Sequence, residues 1–326
     1  MKKLIPIAAA AALLLTACSS GNYAATQIPP EPTTPTTSAA PTTTAPCDKS
    51  TELQSYRPDS PLPAPMQMTP GTTMKKIQDR GRLIAGVSAD SLHLGSRNPL
   101  NGKIEGFDID MLKAVATAIF GTDVGHLELR VISSPQRIPV LQNNTVDIVA
   151  RNMTINCDRW RLIAFSAEYY LSGQKTLVQR DSKATGLGDL SDKTVCAPAG
   201  STSLDNLKKA NPKIKAVTAD SDTGCLVLFQ QGKADAISGD DTVLAGDAAQ
   251  DPYAKVLSER ISNEPYGLGI NKANVDFVKF VNGVLEKMKA GPDPANSDWM
   301  KSYNTWLGPD LGPLKAAPTP AYGRAQ

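Results

Sequence analysis

From Arg82 to Ser238, short apolar runs alternate with stretches of helical period, and this alternation confines the chain to a few folds. Leu83–Val87 reads as a strand, and Met111, Leu112, Val115 and Ile119 share one face of a helix after Gly106. Leu127–Ile132 reads as the next strand. Ile138, Val140 and Leu141 fall on a short helix that ends near Asn143 and Asn144, and Val146–Ala150 is a further buried strand. A second set follows: a strand at Thr194–Ala197, a helix over 201–209 stopped by Pro212, a helix over 225–230 and a strand at Ala234–Ser238. Val275, Val278, Val281, Leu285 and Met288 then recur at helical spacing, as do Trp299, Tyr303 and Trp306. Strand–helix–strand units of this kind build mostly parallel sheets, so two sets with a helical tail imply an α/β protein of two lobes.

The first residues specify a destination. Met1, Lys2 and Lys3 precede an apolar run, Leu4 to Leu15, too short to span a bilayer in the mature chain. Leu15-Thr16-Ala17-Cys18 resembles the bacterial lipobox, in which the cysteine receives a diacylglycerol; residues 1–17 are then a lipoprotein signal peptide, and Cys18 anchors the chain to the outer face of the cell membrane. Residues 18–46 are rich in Thr, Pro, Ala and Ser, a composition that cannot bury enough apolar surface to fold and reads as an extended stalk.

Charge argues against bulk electrostatic partners. The precursor carries a formal net charge of +2, and without Lys2 and Lys3 it balances at 32 basic and 32 acidic side chains. With only 5% aromatic residues, nothing here suits a nucleic-acid surface. Beyond Cys18, the four cysteines Cys47, Cys157, Cys196 and Cys225 stand in an oxidising compartment. They allow three pairings, of which Cys196 with Cys225 and Cys47 with Cys157 is the expected one. A zinc site is not expected, because there is no C-x-x-C spacing and the only histidines are His93 and His126.

Function comes from three separated blocks. Gly106-Phe107-Asp108-Ile109-Asp110-Met111 is the first, and Arg137-Ile138-Pro139-Val140-Leu141-Gln142 with Val146-Asp147-Ile148 the second. The third runs from Asn152-Met153-Thr154-Ile155 through Arg159 to Phe165-Ser166-Ala167-Glu168-Tyr169-Tyr170. In order and spacing these resemble the periplasmic solute-binding proteins for polar amino acids. The lipobox, stalk and cysteine set look most like the actinobacterial glutamine-binding lipoproteins of that family. The resemblance implies a type II periplasmic-binding-protein fold with two hinge strands and the ligand in the interlobe cleft. It places lobe one at 74–173 plus 264–308 and lobe two at 174–263, with an N-terminal extension at 47–73 and a C-terminal tail at 309–326.

The resemblance also assigns roles. A bidentate guanidinium is suited to a carboxylate, and Arg159 matches the position that clamps the ligand's α-carboxylate. Asp241, with Asp240 beside it, matches the aspartate that receives the ammonium group. Thr154 stands where a hydroxyl and backbone N–H bind the carboxylate, and Asn152 where a backbone carbonyl takes the ammonium. In lobe two, Thr202 follows Gly200 and Ser201 at a helix start, whose amides can cradle the same carboxylate on closure. Arg137 reaches a side-chain carboxylate in relatives that prefer acidic ligands, which points to glutamate or aspartate ahead of asparagine or glutamine. Ser88 is expected at the cleft mouth. Ser134 replaces an aromatic that glutamine-binding relatives set against the ligand. The expected activity is capture by hinge closure, with no cofactor and no covalent step, by a monomer that presents its ligand to an ABC permease. A membrane signalling protein is the alternative partner. An arogenate or cyclohexadienyl dehydratase on the same fold is a remote alternative, with only His93 or Asp90 as acids.

Overall fold

A computed structural model of the chain describes residues 48–325. Signal segment, Cys18, stalk and Cys47 lie outside the described residues. Among those described, no helix is long and apolar enough to cross a membrane.

Two sheets form two lobes. In the first, Leu83–Val87 lies parallel between Leu127–Val131 and Ile148–Ala150, and Gly269–Ile270 joins antiparallel to Ile148–Ala150 and Ala164–Phe165. Leu83–Val87 is buried along its whole length, as its unbroken apolar sequence requires of a central parallel strand. Leu127–Val131, at the sheet's margin, is half-buried and ends exposed. In the second sheet, Thr194–Pro198 lies parallel to Lys215–Ala219 and Ala236–Asp240, and the ten-residue strand Tyr170–Gln179 runs antiparallel to Ala236–Asp240, Ala254–Val256 and Ser262–Tyr266.

The chain crosses between the sheets twice, after Phe165 and after Tyr266, and the crossing segments pair with each other through Tyr170↔Tyr266 to Gln174↔Ser262. Two paired crossovers form a hinge of few residues that can bend while each sheet stays intact. The strand expected at Ala234–Ser238 runs instead from Ala236 to Asp240, in a register fixed by Ala236↔Val178 and Asp240↔Gln174.

Lobe one has an aromatic core. Phe107 packs edge-on against Trp299 at 5.5 Å, and Trp299 Nε1 donates to Tyr169 O at 2.9 Å, so the helix Asp298–Trp306 seals the helix Phe107–Phe120 into the lobe. The N- and C-terminal segments clasp the same lobe: Ser55 pairs with Tyr322, Asn282 Nδ2 donates to Ser55 Oγ and Tyr56 O, and Arg324 lies 3.7 Å over the Trp160 ring. In lobe two, Cys196 and Cys225 are joined across 29 residues, with Cα atoms 5.5 Å apart. On loop entropy this link stabilises that lobe by roughly 3 to 4 kcal/mol. Cys157 is also disulfide-bonded.

Candidate functional site

The first sequence block anchors the floor of the cleft. Gly106 takes φ 141°, and a Cβ there would collide with the backbone of Leu94, so only glycine fits. This close approach sets Phe107 N and Asp108 N to donate to His93 O and Leu94 O, each within 3.0 Å. Asp108, fully buried, then accepts from Asn152 N at 3.0 Å and from Tyr169 OH at 2.6 Å. Burial pushes its carboxyl up to about 6, against the pull of those donors. Asp108 thereby holds Asn152 at φ 37°, a left-handed conformation that is strained for a side-chain-bearing residue.

A cavity of about 10 Å³ lies between the lobes, lined by Ser134, Arg137, Asn152, Thr154 and Arg159 on one side and by Pro198, Ser201, Thr202, Ser203, Asp222, Gly239 and Asp240 on the other. That is room for about one water, so the walls are in near contact. Gly200, at φ +67°, carries the carbonyl on which two of the arginines meet: Arg137 Nη2 and Arg159 Nη2 donate to Gly200 O at 3.2 and 3.3 Å. Further contacts cross the cleft at Ser134 N to Asp220 O (3.0 Å), Ser91 Oγ to Asp222 Oδ2 (2.9 Å) and Thr223 Oγ1 to Asp90 O (2.9 Å).

Arg137 is buried and donates to four carbonyls, those of Ser134, Arg151, Asn152 and Gly200. Burial, then the charges of Arg159 and Arg151, push it down to about 9, which leaves it cationic at neutral pH. Arg159 donates to Thr154 O at 2.8 Å and is lowered by burial too. The hydrogen bonds of these two cations all go to carbonyls, and the carboxylates that favour their charge, Asp240 for both, Asp222 for Arg137 and Glu264 for Arg159, form no ion pair with them, an arrangement that leaves room for an arriving anion. The third guanidinium, Arg151, is satisfied by Ile132 O, Ser134 Oγ and Asp222, the last at 3.7 Å.

Asn152 lines the cavity as expected, but its carbonyl accepts from Arg137. Its side-chain Oδ1 is instead buried without a partner. A buried orphan acceptor is suited to a ligand N–H. Thr154 Oγ1 and Thr202 Oγ1 lie 3.2 Å apart across the cleft, and both donate to Glu264.

Two expected residues stand elsewhere. Asp241 opens the helix Asp241–Gln250, accepts from Ser172 Oγ at 2.6 Å, pairs with Arg260 at 3.3 Å and faces a separate surface cavity beside Lys175 and Leu257. Asp240 is the one on the cleft wall, because the strand ends on it and its side chain leaves on the face shared with Ser238. It accepts from Tyr266 OH at 2.6 Å, and burial, then the charge of Glu264, hold its carboxyl well above the usual carboxylate range. Ser88 does not reach the cavity. Its Oγ closes its own turn by accepting from Asp90 N and Ser91 N and bonding Asp90 Oδ1.

Asp222 and Glu264 have no counterpart in the sequence reading. Each comes from an element far along the chain, and a lone acid at a helix start or in a strand gives no signal of its own. Among the described residues, no cluster of three His, Cys, Asp or Glu is placed to hold a metal ion.

Comparison with known proteins identifies this architecture. The family model described as bacterial extracellular solute-binding proteins, family 3, matches residues 83–309. The chain is 39% identical to the glutamine-binding protein of Geobacillus stearothermophilus over 208 residues, covering 64% of this chain and 79% of the relative. It is 32% identical to the glutamate-binding protein GluB of Corynebacterium efficiens, covering 65% and 76%. Among solved structures, an ancestral arginine-binding protein bound to glutamine superposes with a TM-score of 0.63 at 31% identity, over 70% of this chain and 99% of that one. Sheet order, paired hinge strands and family match agree, and the chain belongs to family 3 of the bacterial extracellular solute-binding proteins.

Proposed function

We propose that this chain is a lipid-anchored receptor on the outer face of the cell membrane that captures an acidic amino acid, glutamate or aspartate, and hands it to an ABC permease. The relatives support the coarser part: they are named as amino-acid-binding proteins, one of them of an ABC transporter. Their ligands differ, so the choice rests on this chain's own cleft. One observation carries it: two buried guanidiniums, Arg137 and Arg159, stand together on the lobe-one wall with only carbonyls as partners. A ligand with two carboxylates satisfies both, and its ammonium is drawn to Asp240 and Asn152 Oδ1. Capture requires the lobes to part, releasing both arginines from Gly200 O, and to close again around the ligand.

Titration calorimetry of the purified chain with glutamate, aspartate, asparagine and glutamine tests this reading. The acidic pair is expected to bind tightest; preference for glutamine would refute the acidic reading, and no binding would refute amino-acid capture. For the anchor, Cys18→Ala is expected to move the chain from the membrane fraction to the medium, and unchanged membrane retention would refute it.

A further inference from the structure

Glu264 is the least exposed carboxylate at the cleft, at 1%, and it lies on the hinge strand Ser262–Tyr266. Its two oxygens are used differently. Oε1 accepts from Ser262 Oγ at 2.5 Å and Asn206 Nδ2 at 3.0 Å, both in lobe two. Oε2 is shared between lobes: it accepts from Thr154 Oγ1 at 2.6 Å and from Thr202 Oγ1 at 2.7 Å. Thr154 belongs to lobe one, tied to the hinge by its bridge to Tyr266, whereas Thr202 opens the lobe-two helix Thr202–Ala210.

We propose that Glu264 is a positioning residue that couples the ligand site to lobe closure: its Oε2 holds the hydroxyls of Thr154 and Thr202 together, a geometry available only when the lobes meet. The inference rests on the reading of the cleft as an amino-acid site that closes by hinge motion.

The chemistry follows from proton counting. A threonine hydroxyl has one proton to donate. At 2.6 and 2.7 Å, each of the two protons is committed to the charged acceptor Glu264. Neither hydroxyl then donates to a ligand carboxylate. That task falls to Arg159 and to backbone N–H groups. Opening separates Thr202 from Thr154, so Oε2 keeps only one of its two charge-assisted bonds. The closed state is favoured by the other.

Glu264→Gln keeps the volume but sets an NH2 group against one pair of donors. Thr202→Val leaves Glu264 in place and removes only the lobe-two donor, which guards against a misfolded Glu264 variant; Thr202→Ser restores it. Interlobe distances are read by double electron–electron resonance on the full chain in detergent, spin-labelled through Val124→Cys in lobe one and Tyr253→Cys in lobe two. Glutamate dissociation is followed in parallel by stopped flow. Glu264→Gln and Thr202→Val are each expected to deplete the short-distance population and to raise the dissociation rate about tenfold with the association rate unchanged, and Thr202→Ser to return both. Distance distributions unchanged in both variants, or a wild type with no short-distance population with or without glutamate, would overturn the inference. A wild type that closes but binds none of the amino acids overturns the ligand reading alone, and the variants' distance distributions still decide the role of Glu264.

Discussion

The two walls of the cleft differ in charge and in how they are held. Lobe one contributes the cations Arg137, Arg151 and Arg159; lobe two contributes Asp222 and Asp240, with Glu264 on the hinge. The lobe-one wall is built largely before closure, because Asp108 fixes Asn152, and the carbonyls of Ser134, Arg151, Asn152 and Thr154 orient the two arginines. The lobe-two wall completes its contacts only across the gap, at Ser91, Thr154 and Arg151. A cationic wall set in advance is suited to seizing carboxylates first. An acidic wall arriving second is suited to the ammonium and to reporting that the ligand is in place.

The largest test of this asymmetry is Arg159→Ala, which is expected to weaken every amino-acid ligand by about 4 kcal/mol, roughly a thousandfold, by calorimetry. An effect confined to one ligand would mean that Arg159 does not hold the α-carboxylate common to all.

Next comes the cost of presetting lobe one, visible as a pH dependence. The Asp108 carboxyl is raised from 3.8 to about 6 in the folded chain, so its contribution to stability is fully present below the unfolded value and is lost as pH rises through about 6. That shift corresponds to about 3 kcal/mol. Denaturant unfolding at pH 4, 6 and 7.5 is expected to show Asp108→Asn lacking this decline relative to wild type. Parallel pH profiles would contradict a carboxyl raised by burial at Asp108.

On the opposite wall, Asp240→Asn is expected to cost about 2 kcal/mol in affinity, while Asp241→Asn, outside the cleft and paired with half-exposed Arg260, costs less than about 0.5 kcal/mol. The reverse order would return the ammonium role to Asp241. Smallest is the selectivity term: Arg137→Met is expected to weaken glutamate more than glutamine by about 1.5 kcal/mol, and equal losses would remove Arg137 from side-chain recognition.

Much of the lobe-one wall was legible because it is local. Asn152, Thr154 and Arg159 fall within eight residues of sequence, and Arg137 opens a helix marked by its apolar spacing. The acidic wall was harder to read. Asp240 and Asp241 are adjacent, and a two-residue error at the strand's end decides which of them faces the cleft. Only pairing with Lys175 and Gln174 fixes that register. The strand Tyr170–Gln179 escaped notice because its apolar residues do not alternate cleanly: Tyr170, Ser172, Gly173 and Gln174 are all buried where the two crossovers pair. Asp222 and Glu264 were illegible because the contacts that set them at the cleft, with Ser91 and with Thr202, span 131 and 62 residues of sequence. Ser88 was placed by proximity to a strand end, where a side chain can equally close its own turn.

The most direct measurement is a crystal structure of the chain with glutamate. The α-carboxylate is expected on Arg159, the ammonium between Asp240 and Asn152 Oδ1, the side-chain carboxylate on Arg137, and Gly200 O released from both guanidiniums. An ammonium on Asp241, or glutamate bound with Arg137 and Arg159 still held by Gly200 O, would contradict it.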